Sequence, residues 1–450
     1  MAANRIPQPP FYRAELVKPL LADLEAGECC SIIGTSGTGK SNLTQFLQYQ
    51  APAHYLKDKP VWIVTIDSHN LPFQEQKLEY MIFESMVHRL IEEAEDRNFS
   101  AEFLSWANDR YDHLLQNPSA YIAFRMLEEV CKRLCRKHEQ KLIFVFDQFD
   151  DLWKNADAHI FRNLRGLRDQ FKYSVVYLTL TRDRLVNMRQ DAQETEAFWE
   201  LFSARTRALG PFSEKDTFAQ IERLSIRNDV NRDDISSDQL LKYSGGYPAL
   251  LRVIFLAFIE LPHKSFTVDE VLEVESVCDE CRKIWNSLSP IEQGVCQVIA
   301  RKLSSPVPDA GALNELRFKE IVIGDPAELF SPVFTIYVQQ HENTGNNMPG
   351  IVVNVPLREV RFDGQLLQPP LPPLEFKLIE SLARHAGIVC KREDLLRALY
   401  GEEYVDKNDQ RLDAILSRLR KALGESARYL VTHRGGGIQL LQGRVIDLEQ

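Results

Sequence analysis

Apolar runs and helical repeats alternate through the first half of the chain. Residues 28–33 (ECCSII), 60–67 (PVWIVTID), 141–147 (KLIFVFD) and 173–181 (YSVVYLTLT) are short runs rich in β-branched and aromatic residues. They lack polar alternation, which is the pattern of strands covered on both faces. RTRALG at 205–210 reads as a fifth strand. Helical periodicity occupies 40–50, two long stretches near 73–97 and 118–140, and the region around 156–170. Strands alternating with helices predict an α/β fold with a parallel sheet.

The pattern changes near residue 213 and is helical throughout to about 262, and a small mixed unit follows from about 280 to 342. HENTGNNMPG at 341–350 is rich in Asn and Gly and reads as a linker. Beyond it, a short strand pair around Asp363-Gly364 leads through a proline-rich bend to LEFKLIESLARHAG, a helix ending at Gly387. REDLLRALYG is a second helix, stopped by Gly401, and NDQRLDAILSRLRKALG a third over about 409–423. In that third helix Leu412, Ile415, Leu416, Leu419 and Leu423 share one face, the expected core face. YLVTHRGGGIQLL then reads as a two-stranded wing. No internal repeat of 20–50 residues is present, which excludes solenoids and propellers.

A length of 450 residues exceeds one ordinary domain, and 44% apolar with 26% charged residues is a globular composition. No apolar run reaches the roughly 18 residues of a membrane span, and the N-terminus lacks an apolar secretory segment. Eight scattered cysteines suit a reducing compartment. These features place the chain in the cytoplasm, with no membrane partner. Cys278 and Cys281 form one C-x-x-C, but zinc would require a second ligand pair at suitable spacing, so ordinary helical thiols are expected. The net charge of −10 argues against nucleic-acid binding by the whole surface. It is unevenly spread: residues 411–434 hold six basic and two acidic side chains, a local basic surface.

Gly34-Thr35-Ser36-Gly37-Thr38-Gly39-Lys40-Ser41 fits G-x-x-x-x-G-K-[ST] between a predicted strand and a predicted helix. Such a loop turns successive backbone N–H groups toward a polyphosphate, and glycines permit the dihedrals and the close approach. The following helix, with Asn42 in its first turn, aims its positive end at the phosphates. Lys40 is the candidate for the β- and γ-phosphates and Ser41 for magnesium. Asp147, at the carboxyl end of the third strand, is the second candidate magnesium site. Asp150 and Asp151 follow at positions that could orient an attacking water. The expected cofactors are ATP or ADP with Mg²⁺.

At this point the chain resembles the STAND signal-transduction ATPases, an AAA-like branch of P-loop proteins. The carrying residues are LIFVFDQFDD, YLTLTRDRL, SGGYPALL (244–251) and the segment from IWNSLSPIEQ to LFSPVFTIYVQQ. The resemblance covers about 1–340. It implies Arg182 as a sensor near the γ-phosphate, Pro248 packing on adenine from a helical lid, and Tyr12 and Arg13 leading into the pocket. Gln148 stands where many related ATPases carry a catalytic glutamate, so turnover would rest on Asp150 or Asp151, and slow hydrolysis is expected. Members of the family carry long sensor repeats after this core. None is read here, so the signal is expected from a partner protein, a small ligand or another surface of the chain.

Residues 350–442 bear a second resemblance, to OmpR/PhoB-type winged-helix DNA-binding domains. It implies that SRLRKAL lies in the recognition helix and that Arg434 sits at the wing tip, over the minor groove. Arg411, Ser417, Arg418 and Lys421 lie off the apolar face, where arginine reads guanine edges and lysine neutralises phosphate; Arg420 is partly structural in this reading. The earlier winged-helix unit has few basic positions and reads as a structural arm.

The resulting expectation is a P-loop ATPase core (1–212), a helical lid (213–265), a STAND-type winged helix (266–342), a linker (343–349) and an OmpR/PhoB-type winged-helix domain (350–450). The expected function is an ATP/ADP-controlled switch that couples nucleotide state to double-stranded DNA and regulates transcription. Two other readings stay open. One is an oligomeric, origin-recognition-like DNA-bound ATPase, which leaves a homo-oligomer open. The other is a defence or stress switch whose terminal winged helix binds protein.

Overall fold

The computed structural model describes residues 6–57, 59–68, 71, 75–189, 194–231, 235–260, 266–302, 309–340, 351–355, 358–362, 365–401, 410–433, 437–441 and 443–446. The chain forms two compact units, Met1–Gln339 and Gln340–Gln450. Each encloses its own apolar cluster. The expected linker, 343–349, lies outside the described residues.

In the first unit, β1 (Cys30–Ile33), β2 (Val61–Asp67), β3 (Lys141–Asp147), β4 (Val175–Thr181) and β5 (Thr206–Ala208) form one sheet. The order is β2-β3-β4-β1-β5 and every pair is parallel. β1 and β4 are buried along their whole length, and β3 at every position after Lys141. This burial is why the strands read as unbroken apolar runs. The register aligns their carboxyl ends: Asp67 lies beside Asp147, and Ile33 beside Thr181. P-loop ATPases share this α/β arrangement, and the fold is of that class.

Two helical details differ from the sequence expectation. The segment read as one helix over 118–140 is Ala120–Lys132 followed by a π turn at Arg133–Lys137. A further helix, Ala101–Gln116, buries Phe103, Ala107 and Leu114 and packs Leu104, Trp106 and Tyr111 partly buried against the core. This segment escaped the sequence reading.

Three helices follow the sheet: Glu214–Asn228, Ser237–Ser244 and Pro248–Glu260. Ser213 and Ser236 cap the first two through their hydroxyls. Gly245, in left-handed conformation, ends the second; a Cβ there would lie 2.0 Å from the Phe330 carbonyl oxygen. Only glycine allows both that dihedral and that approach.

The arm comprises helices Glu275–Asn286, Pro290–Ala300 and Ala310–Phe318, the hairpin β6 (Val322–Ile323) and β7 (Glu328–Leu329), and a closing helix Pro332–Gln340. Ser289 and Glu292 form a capping box at the second helix. The other Glu292 oxygen accepts from Lys319 Nζ at 2.7 Å, and both side chains are buried. Cys278 and Cys281 lie on the first helix, where burial pushes the Cys281 thiol pKa up.

The second unit opens with β8 (Ile351–Asn354), β9 (Glu359–Phe362) and β10 (Gln365–Leu366), an antiparallel run. Helices Pro373–Arg384, Arg392–Tyr400 and Gln410–Leu423 follow. β11 (Val389–Cys390), β12 (Leu430–Thr432) and β13 (Ile438–Leu440) make an antiparallel sheet in the order β11-β13-β12. β14 (Gly443–Ile446), unforeseen in the sequence, runs parallel to β8 and completes the first sheet. This is a winged-helix fold, and the five positions expected in the core of the third helix are all buried.

Candidate nucleotide site and nucleic-acid interface

The loop after β1 is built as the sequence motif requires. The Gly34 amide donates to the Thr181 carbonyl at 3.0 Å, anchoring the loop to the end of β4. Gly37 and Gly39 have φ of +83° and +89°, which side-chain-bearing residues rarely adopt. The Thr38 hydroxyl, fully buried, donates to the Thr35 carbonyl at 3.0 Å and closes the turn. The helix Lys40–Tyr49 begins directly after Gly39.

Lys40 folds back over this loop, donating to the Gly34 carbonyl at 2.5 Å and the Thr35 carbonyl at 3.2 Å. Burial lowers its pKa to about 8, against the pull of the Asp150 and Asp147 carboxylates. Asp147 is buried at the end of β3, and that burial raises its pKa. The Ser41 hydroxyl and the Gln148 amide, 2.9 Å away, donate to its carboxylate and oppose the rise. Asp67, its register neighbour, adds a second negative charge. A hydroxyl and a desolvated carboxylate, held together beside a second carboxylate, are a hard-oxygen set suited to Mg²⁺. Among the described residues no group of three or more His, Cys, Asp or Glu side chains forms a metal site by itself.

A cavity of about 450 Å³ opens over this loop. Ser36, Gly37, Gly39, Lys40, Ser41, Asn42, Asp150, Asp151, Arg182 and Pro248 line it. Gly34, Thr35, Thr38 and Asp147 do not reach its surface; they shape it from behind. Asp150, itself buried, accepts the Arg182 amide at 2.9 Å and so fixes the turn that presents the Arg182 side chain. Gln148 lines the cavity too, in left-handed conformation at the start of the helix Phe149–Asn155.

Tyr12 and Arg13 are placed differently from the sequence expectation. Neither lines the cavity. Arg13 is buried, with its guanidinium 4.5 Å from the Phe212 ring centroid, and donates to the Thr38 and Gly210 carbonyls, each at 2.9 Å. Its amide donates to Asp216 at 3.0 Å. Tyr12 packs edge-on to Phe46 and Phe212. The pair ties the entering chain to the outer side of the loop and to the lid.

The sequence reading missed several lining residues: Phe212, Gln220, Ala249, Arg252, Val253 and Glu280. Arg252 had a signal available, since it lies one turn after Pro248 on the same helix. Glu280 had none, because it arrives from the arm. Tyr247 was also missed, although it stands inside the quoted SGGYPALL. Its buried hydroxyl donates to the Ser36 carbonyl at 2.5 Å and lies 2.6 Å from the Thr35 hydroxyl. Its ring stacks on Phe330 of the arm, with centroids 4.8 Å apart. Loop, lid and arm therefore meet at one side chain.

In the second unit, Arg411, Ser417, Arg418 and Lys421 are all exposed on the helix Gln410–Leu423. Arg411 lies 5.1 Å from the Tyr400 ring centroid. Arg418 Nε donates to buried Glu375 at 2.5 Å, so this arginine also serves the fold. Arg420 donates to the Thr432 hydroxyl at 2.5 Å, linking the helix to the wing. Arg434 lies outside the described residues. Arg392 grips Asp413 through two bonds of 2.7 and 2.9 Å and lowers that carboxyl's pKa.

The chain thus joins a P-loop ATPase-like α/β core to a winged helix. Residues 368–440 match the family described as "Transcriptional regulatory protein, C terminal". Among solved structures, a Walker-type ATPase of Pyrococcus abyssi matches at 15% identity over 73% of this chain and 96% of that one, with a TM-score of 0.44. The Aeropyrum pernix ORC2 protein in its ADPNP–ADP complexes matches at 14% identity, over 75% and 96%, with a TM-score of 0.42. The DNA-binding domain of Klebsiella pneumoniae RstA, in complex with the RstA box, matches at 32% identity over 20% of this chain and 87% of that one, with a TM-score of 0.18. Among the described residues no helix is long and apolar enough to cross a membrane.

Proposed function

We propose that the protein is a switch in which the ATP or ADP held by the first unit controls double-stranded DNA binding by the second, and that it regulates transcription. The observation that carries this reading is Tyr247, bonded to the Ser36 carbonyl and stacked on Phe330. A ligand that rearranges the phosphate loop then disturbs lid and arm together. Lys40, Ser41 and Asp147 would hold the nucleotide and its Mg²⁺, with Arg182 and Pro248 at the open side of the cavity. Bound phosphates would replace the Gly34 and Thr35 carbonyls as acceptors for the Lys40 ammonium. Asp150 or Asp151 would orient water for slow hydrolysis.

For such a switch to work, the two nucleotides must make unequal contacts with the two states of the lid and arm. The test is affinity for duplex DNA in the presence of ATP, of ADP, and with Lys40→Ala. Different affinities with the two nucleotides, and loss of that difference in Lys40→Ala, are expected. Identical affinities in all three conditions would remove the switch. ATP-dependent rings or filaments on DNA with little sequence preference would favour a DNA-bound oligomeric ATPase instead.

A further inference from the structure

The first helix of the arm, Glu275–Asn286, brings a carboxylate to the phosphate loop. Glu280 is only 7% exposed, yet it lines the same cavity as Lys40 and Arg182. A Cβ built on Gly37 would lie 2.8 Å from Glu280 Oε1 and 3.2 Å from the Tyr247 ring. The carboxylate is therefore packed against the turn whose amides would face a bound polyphosphate, and the missing side chain at Gly37 makes room for it. Beside it, the Ala249 amide donates to the Gly37 carbonyl at 3.1 Å, and the Ala249 Cβ crowds the same space at Gly37.

This position is an unfavourable one for an anion once phosphate arrives. Lys283 Nζ approaches the other Glu280 oxygen at 3.1 Å, but that lysine side chain is 64% exposed and neutralises it weakly. Like charges a few ångströms apart in a partly desolvated cavity repel far more than in water. The remaining inward positions of the helix, Val277, Cys281, Ile284 and Trp285, are apolar or thiol-bearing and supply its packing. Packing alone does not call for a carboxylate there.

We propose that Glu280 is the residue through which the arm distinguishes a nucleoside triphosphate from a diphosphate. The inference rests on the nucleotide-switch reading. The docked arm tolerates a diphosphate, whereas the added charge of a third phosphate is repelled by Glu280 and drives the helix off the loop. Part of the binding energy of the triphosphate is then spent on displacing the arm, so its apparent affinity is reduced while the arm is docked.

The experiment measures binding of fluorescent ADP and ATP analogues with Mg²⁺ to the full chain, for the wild type, Glu280→Gln, Lys283→Gln and Lys40→Ala. Glu280→Gln keeps the shape and removes the charge. It is expected to tighten the ATP analogue at least tenfold and the ADP analogue less than threefold. Lys283→Gln, at an exposed position, strips the partial neutralisation and is expected to shift the ratio the opposite way. Hydrogen exchange over 275–286 should rise with ATP and not with ADP in the wild type, and the ATP response should shrink in Glu280→Gln. Equal changes for both nucleotides in Glu280→Gln, or none, overturn the proposal. If the wild type binds both nucleotides, Lys40→Ala loses both, and neither glutamine variant moves the ratio, only the role of Glu280 falls. If the wild type binds neither, the nucleotide reading falls with it.

Discussion

Replacing Lys40 by methionine tests the nucleotide site through stability before any ligand is added. In the folded chain the Lys40 pKa is lowered by burial from its ordinary 10.5 to about 8. That gap corresponds to about 3 kcal/mol of destabilisation when the amine is charged in both states. Below pH 8 the cost is fully present. Between about 8 and 10.5 the unfolded chain holds one more proton than the folded one, so stability rises with pH across that window. Methionine removes the charge and also the bonds to the Gly34 and Thr35 carbonyls. Those bonds are each worth about 1 kcal/mol, so a net gain of about 1–2 kcal/mol at neutral pH is expected. All five tryptophans lie between residues 62 and 285, so urea unfolding followed by tryptophan emission reports the first unit alone. The wild type should gain on Lys40→Met as pH rises from 8 to 10.5. With MgATP the order should reverse, because only the wild type binds the ligand. Parallel pH–stability curves for the two proteins would refute the assignment of Lys40 as a desolvated, unneutralised cation.

Other outcomes follow from single contacts. Tyr247→Phe removes the donor to the Ser36 carbonyl, at about 1–3 kcal/mol; hydrogen exchange over 244–260 should quicken, and unchanged exchange would show that the hydroxyl does not hold the lid. Lys319→Met strands the buried Glu292 carboxylate and should cost about 3–5 kcal/mol in urea unfolding. Adding Glu292→Gln, which keeps an acceptor for the helix cap, should recover most of the loss, and a neutral single variant would contradict the pairing. On duplex DNA, Lys421→Ala should lower the salt slope by about 1 without changing stability. Arg418→Ala should weaken DNA binding and also destabilise the second unit, because Glu375 loses its partner; unaltered hydrogen exchange over 373–384 would exclude that structural role.

In the proposed switch, the lid and arm would be the means of reading the ligand. The loop is held by polar contacts from Tyr247, Ala249 and Arg13, and the arm joins through the Tyr247–Phe330 ring stack. Such contacts change in discrete steps, because a buried donor must find a partner in every state. The coupling to the second unit is the part that DNA binding under ATP and ADP tests directly.

The sequence alone determined whatever depends on neighbours in the chain. Four of the five strands follow from continuous apolar runs, the phosphate loop from glycine spacing, and the third helix of the second unit from a leucine stripe that is buried as read. Asp147 and Ser41 were legible because one ends a strand and the other follows the motif lysine. What only tertiary structure decided is which distant side chains meet. Glu280 reaches Gly37 across more than two hundred residues, and Tyr247 joins Ser36 to Phe330. Arg418, read as a DNA contact, also pairs with Glu375, which no helical periodicity could disclose. β14 escaped for a related reason: its partner β8 begins the domain that β14 closes. Periodicity records which face of an element is buried, but not against what. The partner is set by packing, and packing exists only once the chain has closed on itself.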